Sequence, residues 1–203
     1  MMRSLLALIL VVSFVGAEPA NGQSLTEMDS NVEQALDKHP DMGILIIDAV
    51  MRDAKGQPMG CLGAILSLVN AASLKVYRVK ISEHKWIGDD LEGGIVLVDS
   101  GMYVAAGFTC NIGRNYSYRG GLAKVVVHPR EIVAAGTLVI DYNKEGFVFG
   151  SVAARAHAED FGPKTLASLK KRLPVTLAKA RKSPLTVLSD LERKNGVVQT
   201  PTR

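Results

Sequence analysis

The segment Arg114-Asn115-Tyr116-Ser117-Tyr118-Arg119-Gly120-Gly121 sets two tyrosines two residues apart between two arginines. In an extended chain, side chains at i and i+2 share a face. Tyr116 and Tyr118 would then form an aromatic strip flanked by Arg114 and Arg119. Such a strip stacks on sugar rings or peptide and receives an anionic group. The competing reading is a hairpin loop whose tyrosines pack on a sheet edge. A second candidate surface is the basic C-terminal stretch, with Lys164, Lys170, Lys171, Arg172, Lys179, Arg181 and Lys182. Lys170, Lys171 and Arg172 are its densest run, and anionic headgroups or cell-wall polymer are the partners such charge attracts. Against that stands a solvated helix face whose long side chains cover apolar surface.

Other chemistry-bearing residues point to less. Glu83, His84, Asp89, Asp90 and Glu92 surround Trp86, the single tryptophan. A hydrolase needs two carboxylates facing each other across a cleft, and neighbours along one loop do not establish that. Asp99, Ser100 and His128 supply the residue types of a nucleophile triad, but any chain of this length contains such a trio. The histidines His39, His84, His128 and His157 lack metal-ligand spacing. There is no phosphate loop, no nucleophile elbow and no H-E-x-x-H. The sequence therefore assigns no catalytic residue, no metal and no cofactor, and it favours a binding or structural module over an enzyme.

Cys61 and Cys110 are the only cysteines. In an oxidising compartment they can form one disulfide. The loop closed is about fifty residues, worth roughly 4 kcal/mol in the chain-entropy picture. Two separate buried thiols are the alternative.

The elements that must position these residues are mostly short strands. Ser24-Leu25-Thr26-Glu27 has the form of a capping box, followed by Val32, Ala35 and Leu36 at helical spacing, which predicts a helix over 27–38. Apolar, β-branched or alternating runs follow at 43–52, 61–70, 74–81, 94–100, 102–109, 121–128, 136–142 and 147–152. About eight strands with turn residues between them predict a mainly β domain, an antiparallel β-sandwich. Pro163 and Ser183-Pro184 read as helix starts, with leucine stripes at Leu166, Leu169, Leu173 and at Leu185, Leu188, Leu191. They predict a two-helix tail.

Residues 1–17 have the charged start, apolar run and small residues of a cleavable signal peptide. The run is too short to span a bilayer. The reading is thus a signal peptide at 1–17, a polar lead-in at 18–42, a β domain at 43–152 and a basic tail at 153–203. The mature protein, with no transmembrane span, is placed in the periplasm or outside the cell. The formal net charge of +4 suits peripheral contact with anionic lipid or polymer and falls short of a nucleic-acid signature.

One stretch has a recognisable pattern: Gly101-Met102-Tyr103-Val104, Gly107-Phe108-Thr109-Cys110, Val125-Val126-Val127, Pro129-Arg130-Glu131-Ile132-Val133 and Gly136-Thr137-Leu138-Val139-Ile140. It resembles small exported bacterial envelope proteins and lipoproteins in which such strands build a β-sandwich. Those proteins often continue into a helical element like Leu169 to Pro174. The lipobox is missing here, and Arg130 stands where that pattern has a turn glycine. The resemblance implies a fold and a compartment but no activity. The expected role is that of a non-enzymatic binding or structural envelope module, contacting an envelope protein or an anionic surface polymer. A small periplasmic hydrolase or ligand-carrying domain is the alternative.

Overall fold

The computed structural model describes residues 25–84, 91–111, 115–144 and 152–189, with side chains over 29–84, 91–111, 117–141 and 155–189. The signal-peptide reading, Trp86, Asp89, Asp90, Arg114, the turn at 145–146 and the tail beyond 189 lie outside the described residues.

Helix α1 is Leu25–Lys38, two residues longer at its start than the spacing predicts. Strand β1, Met42–Arg52, is buried along most of its length and explains the architecture. Its odd positions Leu45, Ile47, Ala49 and Met51 enter the main core. Its even positions Ile44 and Ile46 enter a second cluster with Val32 and Leu36 of α1. Successive side chains of a strand point to opposite faces. A strand apolar on both faces therefore sits in the middle of the molecule, between a sheet and a layer of helices.

The remaining strands are β2 Gly63–Asn70, β3 Val76–Glu83, β4 Leu91–Glu92, β5 Gly94–Asp99, β6 Gly101–Asn111, β7 Asn115–Val127, β8 Ile132–Lys144, β9 Val152–Glu159, β10 Arg181–Lys182 and β11 Thr186–Val187. Helices α2, Pro163–Arg172, and α3, Pro174–Lys179, lie between β9 and β10. One sheet has the order β11-β7-β6-β2-β3-β4. The other runs β10-β8-β1-β5, with β9 also on β8. The two share one core, to which β1, β2, β3, β5, β6, β7 and β8 all contribute.

The first sheet is antiparallel throughout. The second is mixed, because β8 runs parallel to both β1 and β10. This corrects the wholly antiparallel expectation. Parallel neighbours need a long crossover, and between β1 and β8 the chain passes through strands of the opposite sheet and through β5, with no helix among the described residues.

A bulge at Gly136 places the functional region. Val133 and Ala135 face the main core, and so do Leu138 and Ile140, so the inward parity switches across Gly136. The β1–β8 register shifts between Ile46 and Asp48 at the same point. Gly136 has φ +81°, and a Cβ there would lie 2.4 Å from the Glu159 carbonyl oxygen. Only glycine suits that position. Beyond it β8 exchanges β10 for β9 as its neighbour.

Three further expectations change. The run predicted as strand 121–128 begins at Asn115, so the tyrosine segment is strand, not loop. The predicted strand at 147–152 is mostly outside the described residues. Strand β9 instead occupies Val152–Glu159, inside the segment read as tail; its alanines have low β-propensity but suit a tight fit, with Ala156 and Ala158 against the core. The helix expected from Ser183-Pro184 does not form over 183–189. Its backbone donors are taken by sheet carbonyls, Ser183 N–H by Ala134, Leu185 N–H by Ala135 and Leu188 N–H by Leu122. Leu185 enters the main core, and Leu188 packs on the outer face of the other sheet with Val69 and Val104. The segment is a strap joining the two sheets. The helical tail is α2 and α3, divided at Leu173-Pro174, where Pro174 opens a new helix at its first turn.

Cys61 and Cys110 are bonded, with Cα atoms 5.4 Å apart and a sequence separation of 49. Among the described residues no helix is long and apolar enough to cross a membrane.

Candidate functional site

The outer face of the mixed sheet is only partly covered by helices. At its covered end, Ile44 and Ile46 pack with Leu169 of α2 and with Leu173 at the α2–α3 junction. The same stripe continues along β1 to Asp48, Val50 and Arg52, and there the lining turns polar. A cleft of about 460 Å³ opens at this end. Its floor is β1 with Thr137 of β8. Its walls are Pro58 to Leu62, the end of β3 with Ser82, Glu83 and His84, Glu92 of β4, and Glu159 to Thr165. The disulfide residue Cys61 stands in one wall, so the covalent link to β6 braces the cleft.

Asp48 is 6% exposed. Its Oδ1 accepts the Ala49 N–H at 2.8 Å. Its Oδ2 accepts the hydroxyls of Thr165 at 2.8 Å and Thr137 at 3.3 Å. Thr137 is Asp48's register neighbour, turned outward by the Gly136 bulge. Burial pushes the Asp48 carboxyl above the usual range. The hydroxyl and N–H donors oppose this, and the charge of Glu92 adds to it. A buried carboxyl with a raised pKa in a cleft is a feature that functional sites share.

Two further carboxylates of the cleft, Glu159 and Glu92, are held by cations. Glu159 takes both Nη1 and Nη2 of Arg52, at 2.9 and 2.7 Å. His157 Nε2 lies 2.9 Å from Glu159, and its Nδ1 lies 3.1 Å from Asp141. The Arg52 bonds, then His157, draw Glu159 below the ordinary carboxylate range. Glu92 receives Lys164 at 2.5 Å. The cleft thus presents Asp48, Glu83, Glu92, Glu159 and Asp160 against Arg52 and Lys164. Acceptors outnumber donors, and several are fixed in place before any ligand arrives.

The sequence candidates distribute unevenly. Glu83, His84 and Glu92 of the predicted acidic loop do line this cleft. Tyr116 is described only in its backbone, paired with Cys110; Tyr118 pairs with Phe108 and Arg119 with Gly107. Tyr118 is half-buried against the main core, and Arg119 is exposed. Lys170 and Lys171 are exposed in the last turn of α2. Arg172 is half-buried, and its Nη2 donates to the carbonyls of Glu92 and Gly93 at 2.6 and 2.8 Å. It clamps the corner where the chain passes from β4 to β5. The principal neighbours of α2 are α1, α3 and β4, so the tyrosine strand and the basic run are not brought together. Asp99, of the Asp99, Ser100 and His128 trio, instead pairs with Lys75 at 3.1 Å. Among the described residues no group of three or more His, Cys, Asp or Glu is placed to hold a metal ion.

Sequence reasoning missed Asp48, Arg52, Thr137, Glu159 and Thr165. The available signal was Asp48 itself, a lone carboxylate inside the apolar run Gly43-Ile44-Leu45-Ile46-Ile47-Asp48-Ala49-Val50-Met51. Buried carboxylates are rare without a dedicated set of donors.

No protein-family model, no curated protein and no solved structure matches this chain.

Proposed function

We propose that the protein is an exported, non-enzymatic β-sandwich module of the cell envelope that holds a small polar molecule, or one unit of a surface polymer, in the cleft at Asp48. The cleft carries this reading. Its volume is within the ~300–1,000 Å³ range of ligand sites, and its lining is rich in fixed acceptors. A ligand bearing several O–H and N–H donors suits it, and an amino sugar or polyamine is the class with the right chemistry. The leader read over residues 1–17 and the Cys61–Cys110 disulfide both favour an oxidising compartment.

Calorimetric titration of the full chain with glucosamine, glucose and spermidine tests it. Saturable binding of glucosamine or spermidine, reduced at least tenfold in Asp48→Asn, is the expected result. Equal heats in both proteins, or none with any of the three, would remove the cleft from consideration.

The raised pKa of Asp48 beside Glu92 favours one second reading, a hydrolase in which Asp48 donates a proton to a leaving group. It requires release of 4-nitrophenol from aryl glycosides by the wild-type protein and its loss in Asp48→Asn.

A further inference from the structure

A second cavity of about 380 Å³ lies on the covered side of the mixed sheet, between β8 and the α2–α3 pair. Its lining is more apolar than the cleft's and carries fewer charged side chains. Phe161, Leu166 and Leu177 supply most of its bulk, and Ala134, Ala135 and Gly136 form its floor. The space follows from the fold. Gly136 is fixed by the bulge and its neighbours are small, so the β8 surface is low there. The break between α2 and α3 at Pro174 divides the helical roof above it.

Three charged side chains line the cavity, Asp160, Lys170 and Lys182. Most cations of the tail are already engaged: Lys164 by Glu92, Lys179 by Glu33, Arg181 by Glu131, and Arg172 by backbone carbonyls. Lys170 has no ion-pair partner among the described residues. Lys182 approaches Asp160 only at 4.0 Å, with the two side chains 82% and 86% exposed. A pair that open is nearly worthless energetically. The cavity therefore combines an apolar interior with two uncommitted ammonium groups and one outlying carboxylate.

We propose that this cavity binds a single-chain anionic amphiphile. Its hydrocarbon lies among Phe161, Leu166 and Leu177, and its acidic head is at Lys170 and Lys182. Burial of the chain supplies affinity, and the two lysines select an acid over a neutral molecule. The cavity adjoins the polar cleft at Asp160, which lines both, but Lys170, Lys182 and the apolar interior belong to the cavity alone, and neither reading depends on the other.

The test is calorimetry on the full chain with decanoate below its micelle concentration, with 1-decanol and acetate as comparators. Decanoate should saturate at one per chain, acetate should not bind, and decanol should bind about tenfold more weakly. Lys170→Gln combined with Lys182→Gln should weaken decanoate about tenfold, and both positions are exposed enough that folding is unaffected. Ala178→Trp, on the rim, should block binding while circular dichroism stays native. If that variant does not fold, the double lysine variant decides. The proposal is overturned if monomeric decanoate does not saturate, if decanol binds as tightly, or if the lysine variant is unchanged. Attachment to phosphatidylglycerol vesicles without binding of monomeric decanoate would also overturn it, since that is adsorption at a surface.

Discussion

Asp29 and Asp48 have equally little solvent contact, each 6% exposed, yet Asp48 lies far deeper among protein atoms and the two behave oppositely. Asp29 lies on α1 and reaches across to the start of α3. Its oxygens accept the N–H groups of Val175 and Thr176 at 2.7 and 2.9 Å, and the Thr176 hydroxyl as well. Leu173, at the N-cap of α3, makes no side-chain cap, so Asp29 supplies the cap from another helix. Burial raises the Asp29 carboxyl, but the Thr176 and Val175 donors and Lys179 outweigh it, and the net displacement is downward. Asp48 has two hydroxyls and one N–H, with Glu92 nearby, and its pKa is raised. Each carboxylate accepts three donors, so what separates them is the deeper burial of Asp48 and the sign of the neighbouring charge, Glu92 there and Lys179 at Asp29. Helix N–H groups and a cation hold the charge at the closed end. The open end leaves its charge under-compensated beside a cleft.

The largest expected effect comes from breaking the open end's wall. Replacing Cys61 and Cys110 by serine should cost about 4 kcal/mol, because the bond closes a long loop in the unfolded chain. Urea midpoints in oxidised and doubly substituted protein measure it. Next is Gly136→Ala, which sets a side chain against the Glu159 carbonyl at positive φ. A loss of about 3 kcal/mol is expected, with release of β9 seen as faster amide exchange over 155–159. Asp29→Ala should then cost about 2 kcal/mol, since it removes a cap and leaves the buried Thr176 N–H unpaired.

The smallest effect on stability, within about 1 kcal/mol at pH 7, should be that of Asp48→Asn. Its signature is in the pH dependence. A carboxyl whose folded pKa is raised contributes stability below its unfolded value, ~3.9, and loses it as pH rises through the folded value. Asp29, with a lowered pKa, contributes above the unfolded value and loses its share as pH falls. Asp48→Asn should therefore flatten the decline on the neutral side of ~3.9, while Asp29→Asn should flatten the decline on the acid side. Urea midpoints from acid to neutral pH compare the two slopes. The same slope in both variants would erase the distinction between the two ends.

Several elements were legible because their pattern is local. The apolar runs at β1, β2, β5 and β6 and the helix before Pro40 follow directly from periodicity and turn residues. The Cys61–Cys110 pairing was one of two open choices. The parallel β1–β8 contact was hidden, since strand order depends on which sheet each strand joins and no residue type marks it. Strand β9 was hidden by its alanines, and the strap at Ser183–Ser189 by a proline and leucines that also suit a helix. The site was hidden for a related reason. Asp48, Thr137, Glu159 and Thr165 come from β1, β8, β9 and α2, and only the bulge at Gly136 brings Thr137 outward beside Asp48. A glycine inside an otherwise good strand was the visible mark of that bulge.

The most direct measurement is carboxyl ¹³C NMR of Asp48 and Asp29 at neutral pH during titration of the full chain with glucosamine, glucose and spermidine. The account predicts that glucosamine or spermidine moves the Asp48 resonance saturably and leaves Asp29 in place. If Asp48 stays still through all three titrations, or if both resonances move together, the open end is not a binding cleft and the comparison on which the account rests is wrong.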